Sequence, residues 1–141
     1  MRPRLSVLTL AVADLDRAVA FYRDGLGLAT EGIVGTEFEN GAVAFFDLQG
    51  GVRLALWPRA SLLADAGLPD HPPGGPAVSL GHNVGSRAAV DAVMAEVIQA
   101  GGVPVKPAQP TFWGGYAGYF KDPDGHLWEV VFNPDLLPVE D

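Results

Sequence analysis

The chain contains no cysteine, which excludes disulfides, thiolate nucleophiles and Cys-ligated zinc together and leaves three His and the carboxylates as the available metal ligands. Positive charge is scarce too. Nine Lys and Arg stand against 17 Asp and Glu, a formal net charge of −8, and the nine are scattered rather than gathered into a stripe. Such a chain repels polyphosphate, so no nucleic-acid partner is expected. No apolar run is long enough to span a bilayer, so no membrane role is expected either. The first ten residues run directly into an alternating strand pattern without a cleavage site, from which we expect a cytoplasmic protein.

What the chain does have is core-forming material. Of its 141 residues 48% are hydrophobic and only 18% charged, a globular composition at a length suited to one domain. Leu5 to Val12 is rich in Leu, Val and Thr and reads as a strand. Asp14 is a good N-cap before Leu15, Ala18, Val19 and Tyr22, which recur at the spacing of one buried helical stripe that Gly25 would end. Three extended segments follow, at Thr30 to Val34, Ala42 to Leu48 and Val52 to Trp57, with Gly50 and Gly51 supplying a hairpin turn between the last two. A short helix from Ser61 to Ala66 and a Pro- and Gly-dense stretch from Leu68 to Pro76 then break the pattern.

The order repeats beyond that break. Ala77 to Val84 reads as a strand, Ser86 as an N-cap, and Val90, Val93, Met94, Val97 and Ile98 as a second helical stripe that stops at Gly101 and Gly102. A short strand at Val103 to Lys106 leads through Trp113-Gly-Gly-Tyr116 to a strand at Tyr116 to Lys121. The turn Asp122-Pro-Asp-Gly125 and a closing strand, His126 to Phe132, follow. The fold class expected is therefore α+β, two βαβββ modules forming a cleft within one domain of residues 1–141. Module 1 covers about 1–58, a linker 59–76, module 2 about 77–135 and a tail 136–141.

Two segments give this pattern a likeness. Leu10-Ala-Val-Ala-Asp-Leu-Asp-Arg-Ala-Val-Ala-Phe-Tyr22 with Gly25-Leu-Gly-Leu28, and Gly118-Tyr-Phe-Lys-Asp-Pro-Asp-Gly-His-Leu-Trp-Glu129, resemble the opening and closing motifs of the vicinal-oxygen-chelate superfamily, which holds glyoxalase I, bleomycin-resistance proteins and extradiol dioxygenases. The resemblance spans nearly the whole chain and implies the fold more directly than a reaction. It also implies four inward-facing positions where metal-dependent members carry His or Glu. Here these fall at Val7, at or beside Arg53, near Ser79, and at Glu129. His82 is the second candidate ligand, but it lies three residues beyond Ser79, and alternation along a strand should turn it toward the helix.

Glu129, between Trp128 and Val130, is the candidate catalytic residue, because a half-buried carboxylate needs a partner such as Arg53, Asn83 or a nearby Tyr. Arg53 and Asn83 are expected as polar anchors of a ligand. Phe45, Trp57, Phe112, Trp113 and Tyr116 are expected as aromatic walls, the Phe112 to Tyr116 segment serving either as a lid or as core packing. His71 and His126 read as solvent-facing.

Taken together, these residues lead us to expect a glyoxalase- or bleomycin-resistance-like protein that binds a small organic molecule in an aromatic-lined cleft, without a cofactor or metal. The competing reading is a metal-dependent enzyme, a glyoxalase-like lyase or isomerase or a dioxygenase, holding a divalent ion through Glu129 and His82. A metal-free enzyme with Glu129 as base is a third. The resemblance further implies a homodimer.

Overall fold

Strand β1 forms at Val7–Val12 and pairs in parallel with β4, Arg53–Pro58. The computed structural model describes residues 1–70, 72, 74, 76 and 78–138, so His71 lies outside the described residues. Between these two strands come α1, β2 at Ile33–Val34 and β3 at Val43–Asp47, giving a sheet of order β1-β4-β3-β2. Gly50 and Gly51 make the β3–β4 turn with φ of 78° and 79°, the positive values that glycine adopts without a steric penalty.

Asp14 caps α1, Leu15–Val19, its carboxylate accepting the Arg17 amide at 3.1 Å. Past Val19 the helix widens into a π segment, Ala20–Gly25, in which the Leu26 amide reaches back five residues to the Phe21 carbonyl at 2.9 Å. The wider turn carries Phe21 as well as Tyr22 into the core, where their rings meet edge-on at 4.9 Å and Tyr22 lies 6.1 Å from Phe46. A regular helical period places only Tyr22 on the buried stripe. The sheet face beneath is formed by Leu10, Leu54, Leu56, Ala44 and Phe46, all buried. Each Leu or Phe so buried contributes about 1.5–3 kcal/mol.

The chain divides into two units, Met1–Gly74 and Gly75–Asp141. Helix α2, Arg59–Ala66, packs on β4 and β1 and ends at Gly67 with φ of 69°. The stretch read as a linker thus begins with a helix that belongs to the first unit.

The second unit repeats the order. Strand β5, Ser79–Asn83, runs parallel to β8, Leu127–Phe132, in a sheet of order β5-β8-β7-β6. Ser86 caps α3, Arg87–Gln99, by accepting the Ala89 amide at 3.1 Å. Val90, Met94 and Val97 of its stripe are buried, whereas Ile98 is exposed. Strand β6, Val103–Pro110, is longer than the sequence pattern indicates, because register shifts on either side of Lys106 let it continue beside β7, Tyr116–Lys121. It is an edge strand, and three of its eight residues, Pro104, Pro107 and Pro110, lack a backbone N–H.

The β7–β8 turn is pinned from inside. Asp122 is 2% exposed, and its Oδ1 accepts the amides of Asp124 at 2.9 Å and His126 at 2.8 Å, while Gly125 takes φ of 86°. His126 is half-buried in this turn, not solvent-facing as its place in the sequence implies. No helix among the described residues is long and apolar enough to cross a membrane.

Candidate functional site

Register decides which side chains of the second sheet share a face. Tyr119 pairs with Glu129, and Glu129 with Gly81, so these three lie in a row on one face, with Ser79 and Asn83 two residues either side of Gly81. The opposite face carries Trp128, Phe120, Val130 and His82, and it is the face that α3 covers. Phe120 and Trp128 stack there with ring planes 2° apart.

On the open face the Tyr119 hydroxyl donates to Glu129 Oε2 at 2.6 Å. That bond, reinforced by partial burial and by the negative carboxylate, holds the Tyr119 phenol above its ordinary pKa. The half-buried Glu129 thereby obtains the partner it requires, from a residue that the sequence identified only as a nearby Tyr. Asn83 Nδ2 donates to the Leu136 carbonyl at 3.3 Å, so the segment after β8 folds back over the far end of the same face. Gly81 leaves an opening beside Glu129: a Cβ built there meets only Asn83 Oδ1, at 3.9 Å.

His82 pairs with Val130 and therefore points to the helix side. His82 remains exposed on the edge strand, and partial desolvation on the helix side lowers its pKa, against the pull of Glu96 on α3 in the other direction. Glu129 and His82 project from opposite faces of one sheet and cannot ligate one ion, which corrects the proposed ligand pair. Tyr116 also faces the helix. Its hydroxyl donates to Asp91 at 2.8 Å and the Arg87 guanidinium lies 5.6 Å from its ring centroid. It fastens α3 to β7 and does not stand beside Glu129 as a pocket wall.

Phe112 is fully exposed at the tip of the β6–β7 connection, and Trp113, 42% exposed, folds back over Gly115. Thr111 ties this turn closed, its Oγ1 accepting the Gly115 amide at 2.9 Å and its own amide donating to the Gly115 carbonyl at 3.0 Å. A groove of about 410 Å³ runs between α3 and β6 past Met94, Ile98, Pro104 and Val105. It lies on the helix side, away from Glu129.

The remaining anchors belong to the first unit. Arg53 is exposed, bonded to Asp47 Oδ1 at 2.9 Å and set 5.2 Å from the Phe45 ring centroid. Trp57 Nε1 donates to the Asn40 carbonyl at 2.9 Å. Arg53, Phe45 and Trp57 share the face of the first sheet that α1 leaves open.

The internal repeat also locates the family's metal positions. Val7 precedes the N-cap Asp14 by the same seven residues that separate Ser79 from Ser86. In the second unit Ser79 pairs with Leu127, and Glu129 lies two residues beyond. In the first, Val7 pairs with Arg53, and two residues beyond is Ala55. The position equivalent to Glu129 is thus Ala55, not Arg53. Val7, Ala55 and Ser79 offer no carboxylate or imidazole, so the residues present do not fit the ion of metal-dependent relatives. Among the described residues no group of three or more His, Asp or Glu could hold one.

Comparison with known proteins agrees with this architecture. The chain is similar to a glyoxalase-related enzyme from Fulvimarina pelagi (34% identity, TM-score 0.79, covering 94% of this chain and 89% of that one). It is also similar to a glyoxalase/bleomycin resistance protein/dioxygenase from Nocardioides (26%, TM-score 0.76, covering 99% and 90%). A third likeness is to a lactoylglutathione lyase from Agrobacterium tumefaciens (28%, TM-score 0.66, covering 94% and 96%). No curated protein sequence matches it. Residues 4–130 match the family model, and the chain belongs to the Glyoxalase/Bleomycin resistance protein/Dioxygenase superfamily.

Proposed function

We propose that this protein binds a small organic molecule on the open face of its second sheet, anchored by Glu129 and Tyr119 and without a metal ion. The observation that carries this reading is the 2.6 Å Tyr119–Glu129 bond beside the opening at Gly81. A charged group fixed by one partner and approachable from the other side is the kind of polar fixture that orients a ligand. The aromatic contribution on this face comes from Tyr119. The test is a thermal-shift screen of small organic compounds against the parent protein, Glu129→Gln and Tyr119→Phe. Ligands that raise the parent midpoint and leave that of Glu129→Gln unchanged support the site; ligands that stabilise all three equally refute it.

One observation favours a second reading, a metal-free lyase or isomerase. A carboxylate and a phenol in direct contact place a proton acceptor beside a proton donor, and one structural relative, at 28% identity, is a lactoylglutathione lyase. That reading requires turnover that persists in chelator and is abolished by Glu129→Gln. For either reading we propose a cytoplasmic location and a homodimer; light scattering on the purified protein tests the dimer, and cell fractionation the location.

A further inference from the structure

We infer that the group this site takes is a primary ammonium, seated over Gly81 between Glu129 and Asn83. The inference rests on the proposed site at Glu129 and names the ligand class that fits it.

The groups around the opening are acceptors. Glu129 stands beside Gly81 on the neighbouring strand, with its Oε2 already receiving the Tyr119 hydrogen. The amide of Asn83 is oriented by its neighbour: Nδ2 donates to the Leu136 carbonyl, which turns Oδ1 toward Gly81. Ser79, two residues before Gly81 on the same face, adds a hydroxyl. A guest here meets a carboxylate, an amide oxygen and a hydroxyl, and an ammonium brings three donors and no acceptor, with a charge opposite to that of Glu129. A carboxylate or phosphate guest would meet repulsion from Glu129, with the Ser79 hydroxyl and the second Asn83 Nδ2 hydrogen as side-chain donors but no cation to offset that charge. The lysine of this face on β7, Lys121, stands on the other side of Glu129 from Gly81.

Gly81 is what makes the place available. It is not held at positive φ, and a Cβ there meets nothing closer than 3.9 Å, so neither backbone conformation nor packing calls for glycine. A larger side chain would occupy the space next to Glu129 without straining the strand. Gly81 therefore acts as a specificity-determining residue, whose missing side chain admits the ammonium.

Three probes of one shape separate the possibilities: 3-phenylpropylammonium, 3-phenylpropan-1-ol and 3-phenylpropionate, each titrated into ¹⁵N-labelled protein while the amides of Gly81, Asn83 and Glu129 are followed by NMR. We expect the ammonium to shift these resonances and to bind at least about tenfold more tightly than the alcohol or the carboxylate. Gly81→Leu should abolish that response with its thermal midpoint retained, and Glu129→Gln should weaken it about tenfold. If the alcohol or the carboxylate binds as well as the ammonium and is lost in Gly81→Leu, the site stands and the ammonium assignment falls. If none of the three shifts these amides, both fall.

Discussion

Tyr119 and Glu129 face each other across the antiparallel β7–β8 pair, with the phenol hydroxyl 2.6 Å from the carboxylate. Removing the hydroxyl leaves a half-buried carboxylate without its donor. Tyr119→Phe is expected to lower stability by about 1 kcal/mol, at the modest end for a bond to a charged group because solvent reaches the pair. Urea denaturation measures it, and the double variant with Glu129→Gln should recover part of the loss.

The same bond has an alkaline signature. The folded phenol holds its proton to higher pH than the unfolded one, so the bond's stabilisation is complete below the unfolded value near 10 and is lost as pH rises through the folded value. Stability should therefore decline above about pH 10, and less steeply in Tyr119→Phe. Denaturation midpoints across pH 9–11 provide the comparison.

His82 supplies the acid counterpart. Its pKa is lowered in the folded protein, chiefly by desolvation, so its contribution is present above the unfolded value near 6.5 and disappears as pH falls through the folded one. His82→Gln should flatten the stability profile below about pH 6.5. An unchanged profile would show that Glu96 offsets the desolvation.

Metal content is the sharpest check on the donor count. Protein purified without tag or chelator and challenged with nickel, zinc, iron and manganese should show no stoichiometric ion by elemental mass spectrometry. A bound ion that vanishes in Glu129→Ala would overturn the assignment of Val7, Ala55 and Ser79 as the residues at the remaining ligand positions.

Asp122→Ala withdraws the acceptor of two backbone amides inside the β7–β8 turn. A loss of about 2–3 kcal/mol is expected, and Asp122→Asn, which keeps one oxygen, should lose less. Because this turn sets the register of Tyr119 on Glu129, ligand affinity should fall in parallel.

Much of the scaffold was legible in the residues themselves. Asp14 and Ser86 cap the helices that their positions predicted, and Gly50 and Gly51 turn the hairpin. The π widening was not legible, because a 3.6-residue period has no place for Phe21 and Tyr22 on one stripe. At the site, Glu129 and Asn83 do share a face, as strand parity requires. Tyr119 could have been found by counting: the Asp122–Gly125 turn joins Lys121 to Leu127, and two residues back on one strand and two forward on the other meet at Tyr119 and Glu129. The separation of Tyr116 from Glu129 follows from the same count. What no count provides is the Asp91 and Arg87 contacts that occupy Tyr116, since those depend on where α3 lies.

The prolines of β6 bear on how this sheet meets its surroundings. A strand from another chain laid along that edge would find pyrrolidine rings at Pro104, Pro107 and Pro110 in place of amide hydrogens. Its own carbonyls would go unanswered at those points. The prolines thus disfavour growth by strand addition at β6, leaving recognition along that edge more to side chains than to a backbone ladder.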